Sequence, residues 1–427
     1  MRKSTFASIA SLCMVPALFW SQDSSAVPAF ARKYQTSCYT CHSGFPNRNA
    51  FGEAFKNNGY RWPGGEEEDH AKQEQTKMGA AGWKETFPSS PWPTDIPGFA
   101  PFALFITGPI VNYADQVTAG QNYKTALVTK AGDVIKQQTL YQGGPIDARI
   151  LFGGTIGESI GVVGALEGFS ANSMRTNLRA IWSFAPGVNL GFGNGFSAWT
   201  GVSSPISVYT SVFPGSGTST ELNYVTGKEG GFNLIAGVAS APTSTATVPT
   251  ITANKLDDTR YVRAKYKLFG AGLLSGAGGV YGNEYVGLDN SLAIGVGLVN
   301  ANKGILSSNY ANETLVYGAD IAGNYGNLTA GVAFSKDSDL QLSNYAVDAG
   351  YYVYPWLLAR VRYANLGVVG VDQNNPTITP SVTAWLRANV SLAASYKMFT
   401  KSVLPSTVAT DAENNQNTFT LTGAFSF

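Results

Sequence analysis

The chain ends Asn417-Thr418-Phe419-Thr420-Leu421-Thr422-Gly423-Ala424-Phe425-Ser426-Phe427. From Phe419 onward the odd positions are apolar or Gly, while Thr420, Thr422 and Ser426 lie between them. A period of two belongs to an extended strand with two unlike faces. The same period runs back through the chain. Leu386, Ala388, Val390, Leu392 and Tyr396 alternate with Arg387, Asn389, Ser391 and Lys397. Tyr345, Val347, Ala349, Tyr351 and Val353 oppose Asn344 and Asp348. Leu315, Tyr317, Ala319 and Ile321 alternate with Val316, Gly318 and Asp320, and a turn at Gly326-Asn327 opens Leu328, Ala330, Val332 and Phe334. Val262, Ala264, Tyr266 and Leu268 alternate with Arg263, Lys265 and Lys267, as do Ile146, Ala148, Ile150 and Phe152 with Asp147 and Arg149. Ten-residue segments of this kind, separated by turns, mark membrane-spanning β-strands. The edge of a soluble sandwich would explain one such strand but not their number.

About sixteen segments fit between residues 98 and 427, within the usual range for such barrels. The fold class read from the sequence is an all-β transmembrane barrel of about 16 antiparallel strands, preceded by a small α-helical segment. The barrel has to close, because lipid offers no partner to an open strand edge. Residues 114–144 and 199–220 read as long loops. Parity places Arg149, Arg175, Arg179, Arg263, Lys265, Lys267, Arg360, Arg362, Arg387 and Lys397 in the lumen, against Asp147, Glu167, Asp320 and Asp348. A net basic lumen is expected.

Composition agrees. The 427 residues carry 29 Lys+Arg against 28 Asp+Glu, a net charge of +1, so nothing favours nucleic acid as a partner. Only 13% of residues are charged, and 48 are Gly. Past residue 26 no apolar run approaches the ~18–20 residues of a membrane helix. The aromatic and apolar content is too high for a disordered chain. The first 26 residues read as a secretory signal: Arg2 and Lys3, an apolar run from Phe6 to Trp20, then Ser24-Ser25-Ala26 before the cut. Cys13 falls inside the discarded part. The mature chain keeps Cys38 and Cys41 as its cysteines.

Those two sit in Cys38-Tyr39-Thr40-Cys41-His42, a CxxCH sequence. Two thiols three residues apart can add to the two vinyl groups of one haem c, with His42 reaching the iron as proximal ligand. A disulfide is the competing reading. Half a zinc site is another, although zinc wants four ligands and His70 is the only further histidine. The distal ligand is Met78, in a plausible loop, or His70; a five-coordinate or water-ligated iron remains open. Met174 and Met398 fall on lipid-facing parity. Pro46 to Asn58-Gly59 reads as a helix with Phe51 and Phe55 on one face, packed on haem or on protein. Glu66 to about Lys77 reads as a second helix, opened by acidic Glu66 to Asp69. Pro88, Pro91, Pro93, Pro97 and Pro101 then make a stiff connection. The organisation is signal peptide 1–26, cytochrome segment and linker 27–97, and barrel 98–427. Residues 27–97 are too few for a good core alone. They are expected to plug the barrel, with acidic and propionate groups facing Arg263, Lys265, Arg360 or Arg362.

Several local matches accompany the motif: Pro28-Ala29-Phe30-Ala31-Arg32, Phe45-Pro46, Phe51-Gly52, Phe55-Lys56, Asn58-Gly59-Tyr60, Trp92-Pro93 and Ile96-Pro97-Gly98. Together with CxxCH and a following barrel, this block resembles the fused monohaem cytochrome–porins of iron-oxidising bacteria. The terminal Phe427 likewise resembles the assembly signal of bacterial outer-membrane barrels. The resemblance implies an outer-membrane protein that oxidises extracellular Fe(II) at one haem c, held by Cys38, Cys41 and His42. Electrons would pass to a periplasmic cytochrome c or another carrier. Other readings are a conduit for a different donor or for reductive flow, a diffusion porin with an appended periplasmic cytochrome, and a gas sensor.

Overall fold

The computed structural model describes residues 28–44, 47–64, 67–72, 75–77, 85, 95–97, 101–114, 146–156, 159–167, 175–194, 218–240, 259–283, 286–302, 313–338, 343–365, 376–400 and 417–427. The signal segment and Met78 lie outside them. The chain opens with α1 (Pro28–Tyr34), a 3₁₀ turn (Cys38–Thr40), β1 (His42–Gly44), β2 (Asn47–Arg48), α2 (Ala50–Asn57) and α3 (Glu67–His70). Two short strands follow, β3 (Gln75–Lys77) and β4 (Asp95–Pro97), paired antiparallel. The barrel begins with β5 (Phe102–Ala114), β6 (Asp147–Ile156), β7 (Ile160–Glu167), β8 (Arg175–Ala185), β9 (Val188–Asn194), β10 (Thr218–Thr226), β11 (Glu229–Ala239) and β12 (Thr259–Ala271). A small hairpin, β13 (Tyr281–Asn283) and β14 (Leu288–Asp289), interrupts the series. The barrel resumes with β15 (Ser291–Ala301), β16 (Thr314–Tyr325), β17 (Leu328–Asp337), β18 (Ser343–Tyr354), β19 (Leu357–Asn365), β20 (Thr377–Arg387), β21 (Val390–Phe399) and β22 (Thr418–Ser426).

Sixteen strands close into one antiparallel barrel, each beside its sequence neighbour. The seam joins β22 to β5, with Phe425 opposite Ile106. Beyond the last strand, Phe427 and Leu104 exchange both backbone hydrogen bonds, at 2.9 and 3.0 Å. No described helix is long and apolar enough to cross a membrane. The alternation expected from the sequence is present. Tyr345, Val347, Tyr351 and Val353 of β18 are exposed on the outside, while Asn344, Ala346, Asp348 and Tyr352 are buried inside.

The two rims differ. Short turns such as Gly326-Asn327 and Pro355-Trp356 lie at the rim that also carries residues 101 and 427. The strand ends Ala114 and Asp147, and Asn194 and Thr218, lie at the other. Exposed aromatics cluster at the short-turn rim: Phe184, Tyr325, Tyr354, Trp356 and Phe427.

Residues 28–64 fill the lumen toward the short-turn rim. Their partners surround them. Arg32 donates to the Phe102 carbonyl of β5 at 2.7 Å, and Lys33 bonds Thr155 of β6. Asn189 of β9 donates to the Asn57 carbonyl at 2.8 Å. Lys265 of β12 meets Glu53 at 3.5 Å. Ser43 and Tyr352 of β18 share a 3.0 Å hydrogen bond, and Gly44 lies against the Trp385 ring of β20. Gly161 of β7 is a necessary glycine, because a Cβ there would overlap the Gly59 carbonyl. The connection from β12 to β15 also folds inward. Its Leu273 and Leu274 carbonyls accept from Asn57 and Asn58 at 2.8 and 2.6 Å.

Three local expectations change. The helix after the motif starts at Ala50, capped by Asn49, and not at Pro46, because Asn47 and Arg48 pair back onto β1. Its end is as read, with Asn58 as cap and Gly59 at φ +71. The second helix covers only Glu67–His70. Gln75–Lys77, read as its last turn, is instead a strand paired with Asp95–Pro97.

Candidate functional site

The CxxCH sequence forms a tight turn on the plug. Ser37 caps it, accepting from the Tyr39 N–H at 3.3 Å. The Cys41 N–H closes it on the Cys38 carbonyl at 3.2 Å. Neither cysteine is in a disulfide; both sit on one turn, Cys38 buried and Cys41 half-buried. Burial, then the neighbouring Cys38, against a smaller opposing pull from Arg48, pushes the Cys41 thiol up to about 12. His42 follows directly as the first residue of β1. Two thiols followed by an imidazole form the donor set that covalent haem attachment needs, so these residues fit that group.

One residue holds the turn to α2. Asn49 is buried and uses every hydrogen-bonding group it has toward this purpose. Its side-chain amide donates to the Tyr39 carbonyl at 2.9 Å and the Thr40 carbonyl at 3.2 Å. Its backbone N–H donates to the Cys41 carbonyl at 3.0 Å. Its Oδ1 accepts from Gly52 N–H at 2.9 Å, which caps α2. Gly52 completes the contact, since a Cβ there would overlap the Cys41 carbonyl. Three successive carbonyls of the motif thus depend on one side chain and its own amide. Asn just before an apolar helical run was the signal available for this residue in the sequence.

An aromatic cluster lies beside the turn. Phe55 packs edge-on to Phe30 at 5.1 Å and to Tyr34 at 5.8 Å. Trp62 contacts Tyr34 at 5.1 Å and Phe51 at 4.9 Å. Phe55 therefore packs on protein, the blander of its two expected roles. His70 stacks on Trp62, with ring centroids 4.9 Å apart and planes 15° from parallel. The structure thus brings His70 onto the aromatic cluster of the plug. Lys72 returns to α1, donating its backbone N–H to the Lys33 carbonyl at 2.9 Å.

Beyond the motif, a cavity of about 240 Å³ separates plug from wall. Lysines and arginines line it, as parity predicts, and several of them are paired to carboxylates. Arg263 pairs with Asp320 at 2.6 Å, Lys267 with Asp289 at 2.6 Å, and Arg360 with Asp348 at 3.3 Å. Farther round, Arg179 pairs with Glu221 at 3.3 Å, and Tyr261 donates to the same carboxylate at 2.8 Å. Glu221 lies on β10 and Asp289 in the inner hairpin, neither counted from parity. The plug's own acidic group toward the wall is Glu53, bridging Arg48 at 3.1 Å and Lys265 at 3.5 Å. Burial raises its pKa, but Lys265, Arg48 and Lys56 outweigh that and hold the carboxyl well below its usual range. Among the described residues there is no group of three or more His, Cys, Asp and Glu able to hold a metal ion.

No protein-family profile matches the chain. No curated protein matches it either. Among solved structures it is similar to Salmonella typhi OmpF in complex with daunomycin, at 12% identity and TM-score 0.47, over 76% of this chain and 97% of that one. It is also similar to a loop-deletion mutant of OmpT, an outer membrane protein of Vibrio cholerae, at 12% identity and TM-score 0.43, over 76% and 98%. A mutant Rh. blastica porin gives 12% identity and TM-score 0.42 over the same shares.

Proposed function

We propose that this chain is an outer-membrane electron-transfer protein that takes electrons from extracellular Fe(II) at one haem c and passes them to a periplasmic carrier. The observation that carries this reading is the CxxCH turn built into a plug inside a closed barrel. An outer face of exposed apolar side chains with an aromatic cluster at one rim suits a lipid bilayer. The short-turn rim, which carries the ends of the barrel segment, is assigned to the periplasm.

Attached through Cys38 and Cys41, haem supplies one-electron exchange at its iron. The residues of the chain do the rest. His42 would be a ligand to the iron, and His70, on Trp62, and Met78, outside the described residues, are the candidates for a second one. Asn49 and Gly52 fix the turn, so both thiols leave it in one orientation. The barrel then sets who meets whom. An apolar band of about 25–30 Å keeps a periplasmic carrier from the cell-surface medium. A plug at the short-turn side lets that carrier approach from below, while a hydrated Fe(II) ion descends the lumen from the long-connection rim. Pairing of wall cations to carboxylates lowers the repulsion that a cation meets on the way down.

The test is stopped-flow mixing of oxidised protein with Fe(II), followed at the haem absorbance, with a redox titration alongside. Rapid reduction at a potential able to accept from Fe(II) is expected. A low potential with no reduction by Fe(II) would instead support a reductive conduit. The Cys38→Ala/Cys41→Ala chain should lack haem on denaturing electrophoresis and still insert as a barrel. Covalent haem persisting in that chain would sink the attachment assignment.

A further inference from the structure

The cavity between plug and wall has unequal charge. Arg263, Lys267 and Arg360 each have their own carboxylate across a strand or hairpin. Three further cations, Arg48, Lys56 and Lys265, share the single carboxylate of Glu53. Glu221, the next acidic group toward Lys56, is already engaged by Arg179 and by the Tyr261 hydroxyl. Two positive charges are thus left over inside a protein-walled space. Charges taken out of water without counter-charge are costly, so such a space recruits one. The cavity is about 240 Å³, ample for a small anion and some water, given that a water's share of the liquid is about 30 Å³. Guanidinium and ammonium donors together suit oxygen anions.

We infer that this cavity is an oxyanion site, in which Arg48, Lys56 and Lys265 hold one carboxylate- or phosphate-type group between plug and wall. The site serves as an electrostatic bolt. Arg48 and Lys56 belong to the plug and Lys265 to β12, so a shared anion ties the two together. Arg48 also stands opposite His42 in the β1–β2 pair, which sets the site next to the motif. The occupant comes from one of two sources, a free inorganic anion or a propionate of the haem on Cys38 and Cys41. The second source alone rests on the proposed function. Burial, then repulsion from Arg48, lowers the Lys56 ammonium to about 8, against partial support from Glu53 and Glu221.

The experiment uses the full-length protein in detergent micelles. Inorganic phosphate is titrated calorimetrically at constant ionic strength against the native chain and Lys56→Gln, with Arg48→Gln as a second variant should the first not fold. Heat-modifiable electrophoretic mobility reports folding of each. Saturable uptake of one phosphate, weakened at least tenfold in the variant, assigns the site to a free anion. If propionate fills it, phosphate does not bind, and the variant instead shifts the propionate bands of the resonance Raman spectrum and the haem midpoint potential. A pyridine haemochrome assay reports haem separately, so loss of the haem reading is not confused with loss of this one. Absence of phosphate uptake together with unchanged propionate bands and potential in both variants overturns the site. In a chain without haem, absence of phosphate uptake alone does so.

Discussion

At the scale of single residues, Asn49 carries more of the site than its chemistry suggests. Asn49→Ala removes a helix cap, worth about 1 kcal/mol, and unpairs the Tyr39 and Thr40 carbonyls, at about 1–3 kcal/mol for a buried group. The expected outcome is a plug several degrees less stable and a broadened haem spectrum. Asn49→Asp keeps the cap acceptor and loses both donors, so it should recover the helix but not the spectrum; thermal melts read beside haem absorbance separate the two. Glu53 gives a pH prediction. Its folded pKa is depressed, so the stability it contributes is fully present above its unfolded value of about 4.3 and is lost as pH falls through the folded value. The plug's thermal stability should fall at acid pH, and Glu53→Gln should show that looseness already at pH 7, as faster tryptic cleavage within the plug, with a flatter acid limb in the melts. The run from Cys38 to His42 stands out in the sequence because the motif is contiguous. Asn49 and Glu53 do not, because what each one holds is set by how the chain folds back on itself or by a strand far away along it.

Among elements, the barrel strands were read well because lipid is a uniform partner that demands the same parity of each of them. The plug faces a different neighbour at every turn, so periodicity says little about it. Gln75–Lys77 illustrates this. An acidic start and polar residues read as helix, yet pairing with Asp95–Pro97 decides the conformation, and that pairing leaves no local trace. The contact between α2 and β12 can be tested by charge exchange. Lys265→Glu sets two carboxylates at the 3.5 Å position now held by an ion pair. It should release the plug to protease and raise ion conductance in planar bilayers, while Glu53→Lys combined with Lys265→Glu should restore much of the protection. No rescue by the double variant would show that this pair does not fasten the plug. Reversing Arg263 or Arg360 tests something else, since Asp320 and Asp348 of the wall are their partners. Those variants should weaken the barrel itself.

For the whole molecule, the arrangement predicts a small conductance for the native protein in planar bilayers, with steps of porin size appearing once the plug is displaced. Large, steady conductance in the native protein would mean the lumen is open. How the lumen's charges pair was the property least legible from sequence at this scale. Parity found the lumen's cations, but the balancing Glu221 sits on a strand that was not parsed, Asp289 in an inner hairpin and Glu53 on the plug itself. The seam between Phe427 and Leu104 also fixes an order of events. The ring stays open until the last residue of the chain reaches the first strand, and the segment ahead of that strand is enclosed when it does. Under the proposed haem attachment, chemistry at Cys38, which lies buried once enclosed, would have to precede the meeting of the barrel's ends. Attachment and closure would then be competing clocks, and a chain that folds too soon would be locked in its unmodified form.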